Sequence, residues 1–264
     1  LFSLWRYNRG ITAPIFLFTA GTVFTYLLLS RKENFAENPR VKKGIKRAFL
    51  LIGIGYLLRY PTPTFIDFSG VREWQWRVFF SVDVLHLIGF SLLIILLFAY
   101  FAEKTKINYY AAFGGAALLN IVLYPFVSQV NWIEIFPAPV AAYFYRGSGS
   151  LFPLFPWAAY VILGAILGTF LSKNSLAFRS IKFSLYIALL GILSIAISYG
   201  GKIIESSLFE TYYFSQRFLD IFFERVGIVL LINSALSLIA IKVESIPQII
   251  ILIGRNTLLI YVVH

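Results

Sequence analysis

Charged residues in this chain fall in short clusters, and between the clusters lie about eight long, mainly apolar stretches: 11–30, 45–60, 83–101, 109–128, 151–171, 183–199, 226–241 and 248–264. A helix that crosses a bilayer needs about 20 apolar residues, so each stretch is at or near that length. The runs are continuous rather than alternating and exceed the roughly 10 residues of a barrel strand, which excludes a β-barrel reading. The expected fold is therefore all-α, a polytopic transmembrane helix bundle of about eight spans forming a single domain over residues 1–264. Composition agrees: 59% of residues are hydrophobic and 13% charged, against about 45–50% and about 25% in soluble domains. An ordinary water-soluble enzyme is excluded. The chain has no cysteine, which removes disulfides, thiolate zinc sites, iron–sulfur clusters and cysteine nucleophiles. No metal-ligand spacing occurs, so no metal is expected. The chain also lacks methionine, opens at Leu1 and stops at His264 within an apolar run; the expectation is an internal piece of a longer protein, truncated at both ends.

The formal charge of +11 would suggest nucleic acid in a soluble protein. In a membrane protein it sorts by side. Loops 31–47, 102–108, 172–182 and 242–247 carry thirteen lysines and arginines against Glu33, Glu37, Glu103 and Glu244, a net of +9. The alternate loops hold nine cations against eight carboxylates, a net of +1, and Arg255 within the last apolar run completes the total. The basic loops are expected to be cytoplasmic, and the charge reads as topology rather than as nucleic-acid binding. The outer loops are aromatic, with Trp74, Trp76, Trp132, Tyr143, Tyr145, Tyr212 and Tyr213. These suit either an interfacial belt or a surface for a sugar.

Ionisable groups inside spans cost about 2.5–3.5 kcal/mol each at a helix centre, and are expected to face protein or a water-filled cavity. Arg255 and Asn256 sit in Gly254-Arg255-Asn256-Thr257. Arg255 either snorkels to the inner headgroups or meets a phosphorylated ligand entering from the cytoplasm. His264 lies nine residues on, about 13 Å further along a helix and on its opposite face, so the two are no contact pair. Asp83 and His86 open the third run at i, i+3. One reading is an N-cap aspartate with a histidine satisfied by a neighbour; the other is a carboxylate that orients the ring as a base for a hydroxyl or amine. The fifth run opens Phe152-Pro153-Leu154-Phe155-Pro156-Trp157 and continues to Gly164 and Gly168. Its glycines suit close helix packing, while Pro156 and Trp157 suggest a shaped, aromatic-lined cavity. Asn120 and Asn233 are expected to join helices. Nucleotide-binding loops and the Gly-x-Ser-x-Gly elbow are absent.

Four segments in order, Arg9-Gly10-Ile11-Thr12-Ala13-Pro14, Asp83-Val84-Leu85-His86-Leu87-Ile88-Gly89, Phe152-Pro153-Leu154-Phe155-Pro156-Trp157 and Gly254-Arg255-Asn256-Thr257 with the run to His264, resemble the heparan-alpha-glucosaminide N-acetyltransferase catalytic-domain family. That family belongs to a wider transmembrane acyltransferase group that includes the acyltransferase family 3 proteins. The resemblance covers nearly the whole chain. It implies an integral-membrane enzyme that moves an acyl group, usually acetyl, from cytoplasmic acyl-CoA to a sugar amine or hydroxyl on the far side. Within it the Asp83–His86 and Arg255–Asn256 regions match positions that line the family's reaction cavity; the leading reading has Arg255 and Asn256 hold the CoA moiety, takes Asp83, His86 and His264 as catalytic candidates, and lets Asn8, Arg9, Pro156 and Trp157 shape the cavity. The family's best-known catalytic histidine sits in the outer loop before the helix matching residues 11–30. Residues 1–9 contain no histidine, so either that residue lies upstream of Leu1 or this member is an inactive scaffold.

The expected function is thus an acyl-CoA-dependent O- or N-acyltransferase of cell-envelope carbohydrate, in a bacterial inner membrane. Its partners are the lipid bilayer and a glycan or glycoside acceptor, with acetyl-CoA or another acyl-CoA as co-substrate, no nucleic acid, and a homo-oligomer compatible with the bundle. The alternative is a transporter or flippase of a glycan or lipid-linked sugar, whose intramembrane charges would line a permeation path.

Overall fold

The computed structural model describes residues 2–31, 33–62, 67–208, 215–243 and 245–263, with side chains described over 10–31, 33–62, 67–201, 220–243 and 245–263. Eleven α-helices account for about three quarters of the described residues, and no strand occurs among them. They are α1 (Phe2–Leu29), α2 (Pro39–Leu58), α3 (Glu73–Phe80), α4 (Val84–Thr105), α5 (Tyr109–Gln129), α6 (Ala138–Ala141), α7 (Leu154–Lys173), α8 (Ile181–Leu208), α9 (Ser215–Lys242), α10 (Gln248–Arg255) and α11 (Thr257–Val263). The all-α membrane bundle anticipated from the apolar runs is the fold that forms.

Six helices among the described residues are long and apolar enough to cross a bilayer: Gly10–Leu29, Val84–Thr105, Tyr109–Gln129, Leu154–Lys173, Ile181–Gly201 and Asp220–Lys242. The other two of the eight runs differ for physical reasons. The run at 45–60 extends backward in α2 to Pro39, so half of that helix carries Arg40, Lys42, Lys43, Lys46 and Arg47 and its hydropathy falls. The run at 248–264 is not one helix, because the chain leaves helical geometry at Asn256 (φ −103°, ψ 17°) between α10 and α11.

Local chemistry sets the helix starts. Asn38 caps α2 by accepting from the Arg40 amide (2.9 Å), with Pro39 at the first helical position, where a missing N–H costs nothing. The Asn38 side chain also donates to the Leu28 carbonyl (2.8 Å), which ties the end of α1 to the start of α2. Asp83 caps α4 and Asn108 caps α5 in the same manner. At the head of α7, Phe155 and Pro156 depart from helical angles around a cis peptide bond, and the regular helix follows them.

Two kinds of contact assemble the bundle. Helices α1 and α7 meet backbone to backbone: a Cβ added at Gly21 would lie 1.8 Å from the Val161 carbonyl oxygen, and one at Gly164 would lie 2.0 Å from that of Phe18. Glycine is required there because nothing larger fits, the usual basis of close packing between membrane helices. Helices α8 and α9 are joined instead by serines. Ser184 and Ser237 share a hydrogen bond (2.7 Å), Ser194 donates to the Phe223 carbonyl (2.7 Å), Ser198 to that of Asp220 (2.7 Å) and Ser234 to that of Ser184 (2.8 Å). Of the two asparagines expected to join helices, Asn120 reaches across to the Leu154 carbonyl (3.4 Å), whereas Asn233 bonds back to Val229 one turn earlier in its own helix. A short hydroxyl lets helices approach closely while satisfying itself on the partner backbone, which explains why serine takes the role between α8 and α9.

Helices α4 and α7 are the most enclosed of the spanning set. Around them α1, α2 and α5 close the main core, which includes the fully buried Leu17, Leu87, Ile95, Phe113 and Tyr160. That arrangement places the start of α4 deep in the protein.

Candidate active site

The site begins at the first turn of α4. Asp83 receives the Val84 amide on its carboxylate (2.7 Å), and its own backbone N–H donates to Nδ1 of His86 (3.2 Å). This reciprocal cap fixes both residues at i, i+3. Of the two readings of that spacing, the N-cap aspartate is the one that forms, and the group bonded to the imidazole is the Asp83 backbone amide. The carboxylate is paired with Arg59 at the end of α2 (3.0 Å). Arg59 also donates to the Ser81 hydroxyl and to the Ser81 carbonyl (3.4 Å), so one guanidinium ties α2 to the loop that leads into α4. In the sequence Arg59 counts only as an outer-loop cation. A cue was available: it is the only cation at the outer end of the run that precedes the Asp83 segment.

His86 is fully buried. Its ring lies on the α2 backbone at Gly55, where an added Cβ would come within 2.5 Å of Cε1, 2.7 Å of Nδ1 and 2.9 Å of Nε2. Tyr56 packs against it edge-on, with ring centroids 4.3 Å apart. A backbone N–H is an obligatory donor, so Nδ1 is the acceptor nitrogen and the neutral ring carries its proton on Nε2. Nε2 has no protein partner. Buried polar groups are nearly always paired, so an orphan N–H at the head of a capped helix marks a place where a ligand or water oxygen belongs.

The far side of the site is covered by a stitched loop at the end of the bundle away from the basic loops. The Val82 amide donates to Ser150 Oγ (2.9 Å), and Ser150 donates to the Ala142 carbonyl (2.7 Å). The Leu154 amide donates to the Tyr143 carbonyl (2.7 Å), and the Leu151 and Phe152 amides donate to the Val82 carbonyl (3.2 and 3.3 Å). Together these bonds bring residues 138–154 down onto the head of α4. Tyr143 is thereby set with its hydroxyl 3.5 Å from that of Tyr56 and its ring 4.3 Å from that of Phe90. Burial, reinforced by the Tyr56 hydroxyl, pushes the Tyr143 phenol well above its ordinary range, so it remains a neutral hydrogen-bonding group. From α11, Tyr261 lies within electrostatic reach of both Asp83 and Arg59.

Below this site, toward the basic loops, lies a cavity of about 280 Å³ between α1, α2, α4 and the α10–α11 junction. Arg40, Lys43 and Arg47 from α2 and Arg255 from α10 stand around it, and its interior is lined by Phe24, Leu51, Leu85 and Ile88. Leu85 immediately precedes His86, and Leu51 is one helical turn before Gly55. The cavity thus extends from four cations to residues that neighbour His86 and Gly55 along α4 and α2, while neither His86 nor Gly55 itself lines it. Sequence reading assigns Arg40, Lys43 and Arg47 to topology alone; their i, i+3, i+7 spacing places them on one helix face, and that was the available cue. Arg255 does line the cavity. Asn256 does not: it ends α10, is exposed, and bonds back to the Leu252 carbonyl (2.9 Å).

The other candidates lie elsewhere. Pro156 and Trp157 belong to an aromatic cluster at the head of α7, with Trp157 4.8 Å from Phe152 and 5.8 Å from Tyr160 between ring centroids. Arg225 of α9 sits 6.0 Å over the Trp157 ring, and its guanidinium approaches Gly10. His264 and the side chains of Asn8 and Arg9 lie outside the described residues, as do Tyr212 and Tyr213. Several outer-loop aromatics pack on one another: Trp76 stacks on Phe80 (5.8 Å) and Trp132 on Phe136 (5.8 Å), while Phe79 touches Tyr56 (5.3 Å) and roofs the histidine site. No group of three or more histidine, cysteine or acidic side chains suited to a metal occurs among the described residues.

No curated protein and no solved structure matches the chain. The family described as heparan-alpha-glucosaminide N-acetyltransferase, catalytic, matches residues 1–199, three quarters of the chain and all of the α2–α4 site. A membrane-embedded helical bundle with a capped, buried histidine above a cationic cavity is thus the setting of that match, and the chain belongs to the heparan-alpha-glucosaminide N-acetyltransferase catalytic family.

Proposed function

We propose that the protein transfers an acetyl group from acyl-CoA, admitted on the side of the basic loops, to a sugar amine or hydroxyl that reaches the site from the opposite side. The observation that carries this reading is the cavity that gathers Arg40, Lys43, Arg47 and Arg255 on the same helices, α2 and α4, that hold the His86 site, with Leu51 and Leu85 in its lining. Its lining fits such a donor: arginine and lysine suit phosphate oxygens, and the apolar section suits an uncharged arm. The donor, when bound, supplies the acyl thioester. The basic segment 31–47 then has a second role, since a cationic mouth raises the local concentration of an anionic ligand. Family membership favours a transferase over the transporter alternative.

His86 has a specific part in this reading. With Nδ1 engaged by the Asp83 amide, the free function at Nε2 is a proton donor. To act as a base, the ring would have to move its proton to Nδ1 and give up that bond. His86 therefore donates a hydrogen bond to a carbonyl oxygen placed against it, an electrostatic role that gains strength where water is excluded. Arg59 and Asp83 are positioning residues that hold the loop from which that amide projects.

The test is calorimetric binding of coenzyme A to the purified protein. Exposed arginine–phosphate contacts are charge-assisted, and losing one is worth roughly a ten-fold change in Kd. Arg255→Ala and Arg47→Ala are expected to weaken CoA about ten-fold each, with Asn256→Ala close to wild type. Unchanged affinity in both arginine variants removes the donor assignment.

A further inference from the structure

A second and larger cavity, about 560 Å³, lies on the other flank of the bundle, between α7 and α8 with α9 behind them. Unlike the donor cavity it has an almost wholly apolar wall, including Ile166, Phe170, Tyr186, Leu190 and Val226. Its polar lining lies at one end, at Ser180, Lys182 and the Tyr110 ring edge. That end is level with the basic loops. Lys173 stands there over the Tyr110 ring (5.0 Å), and Arg179 lies in the turn between α7 and α8. Among the described residues no carboxylate pairs with Lys173, Arg179 or Lys182.

The depth of the cavity limits its occupant. Lys182 to Leu190 is eight residues of α8, about 12 Å of helix, against a hydrocarbon half-thickness of about 15 Å. The groove thus extends from headgroup level through most of one leaflet. Along such a groove an unbranched hydrocarbon chain is far narrower than an α-helix, which is about 10 Å across with its side chains. Apolar walls with three cations at the mouth complement a molecule with a long apolar tail and an anionic head.

We propose that this groove is a specific site for an anionic phospholipid of the leaflet on the basic-loop side, with one acyl chain between α7 and α8 and the phosphate at Lys173, Arg179 and Lys182. The site is distinct from the donor cavity and does not rest on the transferase reading. Near a membrane surface each lysine is worth about five-fold in affinity for anionic lipid.

The experiment is native mass spectrometry of the purified full chain, delipidated and titrated with phosphatidylglycerol or phosphatidylcholine of the same acyl composition. Wild type is expected to retain phosphatidylglycerol in preference to phosphatidylcholine. The surface variant Lys173→Gln/Lys182→Gln is expected to lose that preference by about 25-fold, by the same five-fold factor per lysine, while still retaining lipid. The groove-filling variant Ile166→Trp/Leu190→Trp is expected to lose both lipids. Equal retention of the two lipids by wild type, an unchanged preference in the lysine variant, or a segment of this chain or a second copy seated in the groove would each overturn the proposal. The lysine variant is expected to bind CoA normally, which separates this outcome from failure of the donor assignment.

Discussion

Gly55→Ala tests the placement of His86 by the sign of a stability change. In an exposed helix interior, replacing glycine with alanine is stabilising by about 0.8–1 kcal/mol. At Gly55 the new Cβ would lie 2.5 Å from Cε1 of a fully buried imidazole. The ring cannot withdraw cheaply, because Nδ1 is held by the Asp83 amide and its face is packed by Tyr56. Overpacking of this kind costs about 1–3 kcal/mol, which exceeds the propensity gain over most of that range. At about 2–4 °C per kcal/mol for a protein of this size, the thermal midpoint should fall by a few degrees. Gly53→Ala is the internal control: it lies two residues away in α2 and its added Cβ meets nothing within 4 Å, so its midpoint should be unchanged or slightly raised. Thermal unfolding in detergent of Gly55→Ala, His86→Ala and Gly55→Ala/His86→Ala beside wild type forms a double-mutant cycle, with Gly53→Ala run alongside. Removing the imidazole should cancel the penalty at Gly55, giving a clearly non-additive pair. A Gly55→Ala midpoint that rises like that of Gly53→Ala, or strict additivity with His86→Ala, refutes the placement of the ring. Acetyl transfer should fall in Gly55→Ala and not in Gly53→Ala.

Two further outcomes follow from the packing. Asp83→Asn keeps the helix cap but leaves Arg59 without its carboxylate; with side chains only 17% and 24% exposed, the loss should be about 1–3 kcal/mol, and Arg59→Met/Asp83→Asn should recover much of it, both read from the thermal midpoint. Gly164→Val places side-chain atoms against the Phe18 carbonyl, where even a Cβ would lie 2.0 Å away; α1 and α7 must separate, and size-exclusion chromatography should show loss of the folded species, whereas Gly114→Val, with open space around it, should remain folded.

The fold was legible because bilayer length and charge asymmetry are properties of contiguous sequence. Where the apolar runs misled, the cause was again local: a spanning window centred on 45–60 hides the charged first half of α2, and apolarity alone gives no sign of the break at Asn256. The site was legible to the extent that its chemistry lies within one helical turn, which is why Asp83 and His86 stood out together. Their relation stayed open between two readings because i, i+3 spacing cannot tell a carboxylate contact from a backbone one. The partner that engages the carboxylate, Arg59, lies 24 residues earlier, while the Asp83 amide bonds Nδ1. The same distance in sequence hid the donor cavity. Arg40, Lys43 and Arg47 have one charge pattern whether they mark a membrane face or line a cavity, and only the approach of Arg255 from the other end of the chain distinguishes the two. A cationic stripe on a membrane helix is therefore best read together with any lone cation inside another apolar run. Arg255 stands at the end of α10 and not at the centre of a spanning helix, so lipid headgroups and a phosphate-bearing ligand shared with the α2 stripe both meet its charge; loss of CoA affinity in Arg255→Ala separates the two.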